Sequence, residues 1–302
     1  MRWRTANLLL ACLASFLCLA DARADSSSGE LASYYDRHMA LVGGVAYGWV
    51  GQGVPARMRA GVRQVGVNQD SYFALLEDGT LLGWTDAPER PRTLMRGVAR
   101  FAVGQSGWFA IDQARTLWKG EHRTDATKRI AEDVIDACIG DSADYYITRD
   151  GTLHVHGLAH RGQYGDGRLT ATADFVATAR DAVAVKAHTG HAIYLRRDGT
   201  VMGTGGNRFG PLSTHGLGDK ADRWGPLFEG AKAIATGSRH SAAIRADASL
   251  WVWGAGFTVE PRQLLDRVTA VAAGDTATIA RTADGILWQW DGGAAARRLS
   301  LP

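Results

Sequence analysis

The sequence predicts an all-β protein, a seven-bladed β-propeller with four antiparallel strands per blade. A unit that ends in an apolar strand recurs seven times, as in "DGTLLGW" at Asp78–Trp84 and "DASLWVW" at Asp247–Trp253. The units end at positions 49, 84, 120, 156, 204, 253 and 290, so the period varies between 35 and 49 residues. A period of this length, built from short strands, is typical of a solenoid or a propeller.

Four strands follow one another within each unit. An alternating apolar segment such as Val62–Val65 comes first, and a second short strand such as Tyr72–Leu76 follows. An Asp-Gly pair then predicts a hairpin, because we expect positive φ at both turn positions. The third strand ends the unit, and a fourth lies near a proline, as in Pro91–Met95. A β-sandwich has no reason to repeat this order at a fixed period, whereas a propeller does.

The first residues look like a targeting segment. Arg2 and Arg4 precede an apolar stretch, Leu8–Ala20, that is too short to span a bilayer, and Ala22–Ala24 fits an A-x-A cleavage site. We therefore predict a signal peptide over residues 1–24, a single propeller domain over residues 25–302, and a location in the periplasm or outside the cell. The early "LLAC" segment leaves lipidation as an alternative.

Composition narrows the classes of partner. The net charge of +3 falls to about +1 without residues 1–24, so neither nucleic acid nor an anionic membrane is expected. Cys138 is the one cysteine outside the signal segment, and we interpret it as a small buried apolar residue. The chain contains no nucleophile elbow, phosphate-binding glycine loop or zinc-protease helix. We expect a monomer with no cofactor, no membrane span and no catalytic residue.

The two ends of the chain raise the question of how the ring closes. The segment Glu30–Asp36 ("ELASYYD") matches the first strand of a unit poorly, and Ala296–Leu301 predicts a short strand beyond the seventh unit. An open ring would expose sheet edges. We therefore expect Ala296–Leu301 to pair beside the N-terminal strands and hold the ring shut.

The units resemble the regulator-of-chromosome-condensation repeat family, which ends a small-residue strand in Gly and then presents His-Ser, Asp-Gly and Trp-Gly in order. The segments that carry the resemblance are Ala235–Gly254, Tyr145–Gly157, Ala270–Trp290 and Arg161–Gly167. Unit three departs from it at Ala114-Arg115 and at Gly120. The resemblance implies a propeller used as a binding platform. The founding member exchanges nucleotide on a small GTPase and binds chromatin, and secreted bacterial members inhibit β-lactamases with aromatic residues on one face.

Candidate binding residues come from the loops between strands one and two and between strands three and four. Antiparallel pairing puts both sets on one side of the ring, which we call the variable-loop face, because the opposite Asp-Gly side is short and uniform. The first set supplies Asp70, Tyr72, Trp108, Asp141, Asp144, His188, His191, Arg239, His240 and Asp275. The longer loops of units four and five supply Tyr164, Arg208, Phe209 and Trp224.

Tyr72 and Trp108 occupy the position of Ser241 in unit six, so they are either exposed hot spots or partly buried residues at the channel mouth. The histidines His154 and His156 stand in the slots that tryptophans fill in other units. We therefore expect them to pack and not to bind metal together with His160.

The leading functional prediction is a non-enzymatic exported propeller that binds a protein partner. The partner could be an enzyme that the propeller inhibits. One alternative is an exported effector that exchanges guanine nucleotide on a small GTPase. Another is a lectin-like or enzymatic site in the channel, for which Asp70, Asp141 and Asp275 would provide acidic groups.

Overall fold

The computed structural model describes residues 30–85, 90–122, 124, 126–213 and 218–302. The predicted signal peptide lies outside these described residues. The described chain forms 28 strands in seven sheets of four, each joined in chain order. The prediction of an all-β, seven-bladed propeller is confirmed. The described residues form no helix, and consequently none that is long and apolar enough to cross a membrane.

The blades are consecutive groups of four strands. Blades one to four contain β1 (Leu31–Tyr34), β2 (Arg37–Val42), β3 (Val45–Val50), β4 (Ala56–Ala60), β5 (Val62–Val67), β6 (Tyr72–Leu76), β7 (Leu81–Trp84), β8 (Arg92–Met95), β9 (Val98–Val103), β10 (Trp108–Asp112), β11 (Leu117–Gly120), β12 (Thr127–Ala131), β13 (Val134–Ile139), β14 (Ala143–Thr148), β15 (Leu153–Gly157) and β16 (Val176–Ala179). Blades five to seven contain β17 (Ala182–Ala187), β18 (His191–Arg196), β19 (Val201–Gly206), β20 (Lys220–Phe228), β21 (Ala231–Thr236), β22 (His240–Arg245), β23 (Leu250–Gly254), β24 (Arg262–Leu265), β25 (Val268–Ala273), β26 (Ala277–Thr282), β27 (Leu287–Asp291) and β28 (Arg297–Leu299).

The Asp-Gly turns differ in detail from the two-residue turn that we predicted. Four residues separate β6 from β7, and only Gly79 among them has positive φ, at 83°. The Asp78 carboxylate instead accepts a hydrogen bond from the Thr80 amide at 2.8 Å. The turn therefore needs one left-handed residue, and Arg115 (φ 65°) and Ala248 (φ 68°) adopt that conformation without being glycine.

The same turns tie each blade to the next. The first amide of β9, on Val98, donates to the carbonyl of Gly79 at 3.0 Å. Val134 bonds to Arg115 at 3.0 Å in the same way, and Val268 bonds to Ala248 at 2.8 Å. These bonds satisfy backbone groups that would otherwise be unpaired at the junctions between blades. Because these bonds repeat between blades, the turns on the Asp-Gly face are similar from blade to blade. The described loops of the variable-loop face do not make these bonds and differ in length and sequence between blades.

The ring closes without exchange of strands, so the prediction for Ala296–Leu301 is wrong. β28 pairs antiparallel with β27 of its own blade, and β1 supplies the first strand that the sequence pattern did not reveal. Blades seven and one then pack face to face, with Leu31 and Leu299 in one apolar cluster. Because each end builds a complete blade, closure depends on contacts between the two blades and not on a shared sheet.

Polar contacts also reinforce that closure, and two of them join side chains of the two blades. Arg281 of blade seven forms a salt bridge with Glu30 at 2.7 Å. The indole Nε1 of Trp49 donates to Gln289 Oε1 at 3.0 Å, and both groups are buried. A hydrogen bond between neutral buried partners contributes a net stabilisation of about 1 kcal/mol, because opening would exchange it for bonds to water.

Candidate functional site

A tyrosine spans the channel at the variable-loop face. The hydroxyl of Tyr34, at the end of β1 in blade one, donates a hydrogen bond to Asp141 Oδ1 in blade four. The Tyr34 ring stacks on His188 of blade five, with centroids 4.6 Å apart. Blades one and four lie on opposite sides of a seven-membered ring, so these three residues form a plug across the mouth of the channel.

Burial sets the protonation of the plug. Burial and the hydrogen bond to Asp141 raise the pKa of Tyr34, so its phenol stays protonated and keeps donating. Burial lowers the pKa of His188, although Asp141 and Asp275 oppose that shift. The neutral ring accepts or donates locally, with Ser238 Oγ 3.2 Å from its Nδ1. In the plug, the Tyr34 phenol and the His188 ring are therefore uncharged, and Asp141 supplies the one carboxylate.

Tyr35 extends from the plug toward a cleft. It has a φ of 49°, a left-handed conformation that is uncommon for a tyrosine and often marks a constrained position. Its carbonyl accepts a hydrogen bond from the Asp275 amide of blade seven at 3.2 Å. The turn of blade one is thereby fixed against blade seven, and the backbone bond holds the strained residue in place.

The cleft beside the plug has a volume of about 540 Å³. Its walls come from five blades and are formed by Tyr35, Arg161, Thr189, Gly190, His191, Gly206, Arg208, Phe209, Pro211, Asp219, Lys220, Ser238, Arg239 and Asp275. It is of a size that accommodates a small molecule or a pair of side chains from another protein.

One side of the cleft carries an aromatic ring between two arginines. Phe209 is 46% exposed, and the guanidinium carbons of Arg239 and Arg208 lie 5.3 Å and 5.8 Å from its centroid. Arg239 also forms a salt bridge with Asp275 at 3.0 Å. Burial would raise the pKa of Asp275, but the hydrogen bonds from Arg239 and Ser238 and the nearby positive charge of Arg239 together lower that pKa, so the pair remains charged.

The other side of the cleft holds Arg161, which reaches in from the long loop of blade four. It lies over two glycines: a Cβ on Gly190 would sit 3.3 Å from its Nη1, and one on Gly206 would sit 3.7 Å from its Cδ. Among the described residues, neither Arg161 nor Arg208 has a carboxylate within 4.0 Å. The cleft therefore contains two guanidinium groups that form no salt bridge with a carboxylate of the described residues, although Asp219 and Asp275 also line it.

Four of the predicted binding residues meet in this cleft, namely Arg208, Phe209, Arg239 and Asp275. His191 lines it as well, but its ring is buried. Asp70 is exposed in the blade-two loop and does not line the cleft. Asp141 lies in the plug. The sequence analysis missed Tyr34, Tyr35 and Arg161, which belong to blades one and four and approach from across the ring.

Tyr72 and Trp108 are buried, 6% and 1% exposed, so the interpretation of them as exposed hot spots is wrong. Trp108 stands opposite Gly120, whereas Ser241 in blade six stands opposite Trp253. In blade three the large side chain stands on the second strand, whereas in blade six it stands on the third. A Cβ on Gly120 would lie 2.0 Å from the Trp108 ring. The departure from the repeat is a compensating exchange of size within the core.

Three polar candidates connect neighbouring blades in the interior. His191 Nε2 lies 3.1 Å from Ser241 Oγ, and His240 Nε2 lies 2.9 Å from Thr278 Oγ1. Asp144 accepts from Lys119 Nζ at 2.6 Å. All three are buried, and buried polar groups are stable where they are paired in this way. These residues stabilise the ring and are not available to a partner.

The remaining aromatic and histidine candidates also pack. The fully buried Tyr164 donates to the Gly157 carbonyl at 3.0 Å, and Trp224 meets Tyr194 edge to face at 4.8 Å. His154 stacks on Tyr146, with centroids 4.5 Å apart, which confirms that it packs as the tryptophans do. Within the described part of the chain, no group of three His, Cys, Asp or Glu residues is placed to hold a metal ion.

The channel itself is a cavity of about 570 Å³ lined by the first strands. Its two lining carboxylates are engaged in the fold: Asp136 accepts from the Val185 amide at 2.9 Å, and Asp198 accepts from the Thr200 amide at 2.9 Å. Cys138 lies in this wall, where burial raises the pKa of its thiol to about 11. The thiol is therefore protonated at neutral pH and a poor nucleophile.

Exposed apolar side chains gather on the variable-loop face. Among the described residues, the large apolar side chains that are exposed are Val50, Val54, Leu158, Leu169, Phe209 and Val259. Each lies in, or at the start of, a connection between the third and fourth strands of a blade. Val54 and Val259 are 77% and 55% exposed. The opposite face presents charged and polar turns, so the two faces differ in chemistry.

The fold is similar to those of several solved propellers. Prp20p, the yeast RCC1 protein from Saccharomyces cerevisiae, gives a TM-score of 0.69 at 16% identity, over 81% of this chain and 80% of that chain. The WD40 ectodomain of the receptor kinase ACR4 from Arabidopsis thaliana gives 0.61 at 12% identity, over 91% and 98%. PorZ from Porphyromonas gingivalis gives 0.63 at 11% identity, over 91% and 38%.

No protein-family model matches the chain, and no curated protein matches it in sequence. At these identities the likeness concerns the fold, and one propeller fold hosts many functions. It supports the resemblance of the repeats to the regulator-of-chromosome-condensation propellers at the level of architecture.

Proposed function

We propose that this protein is a non-enzymatic, exported binding platform that engages a protein partner through its variable-loop face. The observation that carries the proposal is the placement of the six exposed large apolar side chains on that one face. Grouped exposed apolar side chains, rimmed by polar residues, are typical of surfaces that bind other proteins.

The face also has the other features of a recognition surface. Phe209 sits between Arg208 and Arg239, and aromatic residues and arginine are enriched in interfaces and their hot spots. The loops stand on a rigid ring, so a partner would meet a surface that needs little ordering on binding. Prp20p binds Gsp1p and histones, which gives one instance of this fold in protein binding.

The acidic groups at the channel mouth favour this function over an enzymatic or lectin-like site. Asp141 is bonded to Tyr34, and Asp275 is paired with Arg239. A pair of carboxylates would need free access to a substrate to work as general acid and base. If the partner is an enzyme, its inhibition would follow from covering the active site with this face.

Affinity capture tests the proposal. The chain over residues 25–302 is immobilised and exposed to envelope and culture-supernatant proteins of the source organism, and bound proteins are identified by mass spectrometry. The variant Phe209→Ser/Val259→Ser removes two exposed apolar groups from the variable-loop face. We expect it to bind the captured partner at least about thirtyfold more weakly, because truncating a hot spot costs at least about 2 kcal/mol.

The matched control changes the opposite face. Arg149 and Arg197 are exposed in the turns between second and third strands, and Arg149→Ser/Arg197→Ser should leave capture unchanged. The melting temperatures of both variants should stay close to that of the parent, since surface substitutions change stability little. Capture of the same partner at equal strength by the apolar variant would show that the binding surface lies elsewhere.

A further inference from the structure

We infer that the cleft on the variable-loop face receives an acidic side chain of the protein partner, with its carboxylate at Arg161 and Arg208 and an adjoining apolar side chain on Phe209. This inference rests on the proposed function and names the chemistry that the cleft selects. It concerns the part of the face where charge and apolar surface occur together.

The charge of the cleft argues for an anionic group. Arg161, Arg208, Lys220 and Arg239 contribute four positive charges, and Asp219 and Asp275 contribute two negative charges. Asp275 is already paired with Arg239 at 3.0 Å. The excess charge therefore belongs to the groups without an internal carboxylate partner. A guanidinium offers a planar fork of donors that matches a carboxylate in two parallel hydrogen bonds.

The backbone of the cleft makes room for that approach. Arg161 lies against Gly190, where a Cβ would crowd its Nη1 at 3.3 Å, and near Gly206, where a Cβ would make ordinary van der Waals contact with its Cδ at 3.7 Å. The absence of a side chain at Gly190 leaves room for the Arg161 side chain, which lines the cleft while remaining exposed to solvent. A side chain held along apolar or backbone surface loses less entropy when it binds, which favours recognition.

The apolar component argues for a protein and against a free anion. Phe209 is 46% exposed, and the exposed Val259 lies against the next residue of the chain, with its Cγ2 3.3 Å from the position of a Cβ on Gly210. A phosphate ion would use the arginines but leave this apolar surface in water. An acidic residue next to an aromatic or aliphatic one would use both, and burial of the apolar pair would add to the binding free energy.

The test titrates isotope-labelled protein with short peptides and follows amide signals of Gly190 and Gly206 by NMR. The probes are acetyl-Glu-Phe-Glu-amide, its Gln-Phe-Gln and Glu-Ala-Glu analogues, and inorganic phosphate. We expect the acidic phenylalanine peptide to bind with a Kd on the order of 1 mM and the glutamine analogue about tenfold more weakly, because charge-assisted bonds are the stronger ones. The alanine analogue and phosphate should also bind more weakly.

Two variants with the same change in charge locate the effect. Arg161→Ala/Arg208→Ala should weaken the acidic peptide about tenfold, whereas Arg149→Ala/Arg197→Ala on the opposite face should stay within about twofold of the parent. Equal binding of the acidic and glutamine peptides, phosphate binding as tight as that of the acidic peptide, or equal losses in the two variants would overturn the inference.

The same variants separate this inference from the proposed function. If Arg161→Ala/Arg208→Ala captures the partner as well as the parent while Phe209→Ser/Val259→Ser loses it, the binding face stands and the acidic-group inference fails. If the apolar variant retains the partner while the peptide titration gives the expected ranking, the cleft recognises acidic groups but the proposed docking face is wrong.

Discussion

Gly120 is the most direct place to test the packing argument, because its missing side chain makes room for Trp108. A Cβ at this position would lie 2.0 Å and 2.3 Å from two atoms of the Trp108 ring, far inside van der Waals contact. Gly120 does not have positive φ, so its replacement by alanine introduces a steric clash and no backbone strain. Trp108 is 1% exposed, so its ring is enclosed by the surrounding core.

The size of the effect follows from that geometry. Overpacking a core costs about 1–3 kcal/mol when neighbours can shift, and displacing a buried aromatic ring costs about 3–5 kcal/mol. We expect Gly120→Ala to lower the free energy of unfolding by about 3 kcal/mol. In a Trp108→Ser background the clash is absent, so the same change should cost less than about 1 kcal/mol. The double-mutant cycle should therefore give a coupling of about 2–3 kcal/mol.

Urea unfolding followed by circular dichroism measures the four corners of the cycle. A further variant, Trp108→Ser/Gly120→Trp, restores the arrangement of blade six, in which Ser241 stands opposite Trp253. It should recover most of the stability that Trp108→Ser loses, and it should capture the partner as the parent does. If Gly120→Ala costs the same in both backgrounds, the contact does not explain the glycine. Loss of capture in the stable exchanged variant would restore Trp108 as a binding residue.

Three other predictions concern stability. Burial lowers the pKa of His191 to about 3 and of His240 to about 4, so the unfolded chain binds more protons below about pH 6.5 and stability should fall as the pH decreases. At pH 4.5 each histidine should account for a loss of about 3 kcal/mol in the free energy of unfolding relative to neutral pH. His240→Gln should therefore make the free energy of unfolding, measured in urea, depend less steeply on pH, and an unchanged slope would refute this. Deleting residues 296–302 removes apolar contacts between blades seven and one and should lower the melting temperature by several degrees, whereas an unchanged melt would contradict this account of closure. Ala248→Gly relieves a left-handed alanine (φ 68°) and should raise stability by about 0.5–1 kcal/mol, while Ala243→Gly in a strand should lower it.

The architecture was predictable because successive blades repeat the same kind of turn and the same order of strands. The turn after Asp78 needs one left-handed residue and one side-chain acceptor, and the sequence "DGT" records both. The strand order then repeats with the period of the units. Arg115 and Ala248 break the sequence pattern without breaking the turn, since tertiary bonds from Val134 and Val268 hold them in place.

The site was predictable in part, and the errors have physical reasons. Alternation along β10 places Trp108 on a face of the strand, but it does not say whether a neighbour leaves space for the ring. The signal for that space was present in the sequence, since Gly120 fills a position that holds tryptophan in blade six. Pairing the two departures across the hairpin would have identified a buried exchange. By contrast, Phe209 and Arg208 were found because they lie in a loop that exceeds the length of the repeat.

The plug could not be predicted from the repeat at all. Tyr34 and Asp141 are 107 positions apart and belong to blades on opposite sides of the ring, so no rule about neighbouring units brings them together. Their contact depends on the diameter of the channel, which packing of the complete ring determines. Arg161 was missed for a similar reason, because it lies in a loop of blade four but lines a cleft whose walls come mainly from blade five.

Ring closure and assembly of the cleft are coupled in this arrangement. The turn at Tyr35 belongs to blade one, its carbonyl is bonded to Asp275 of blade seven, and both residues line the cleft. Because no strand is exchanged between the chain ends, opening of the seam would remove this wall and separate Tyr34 from the plug. A ligand in the cleft should therefore bind the closed ring alone and stabilise it in proportion to its occupancy. The seam between blades seven and one is then a junction that an occupied binding site reinforces.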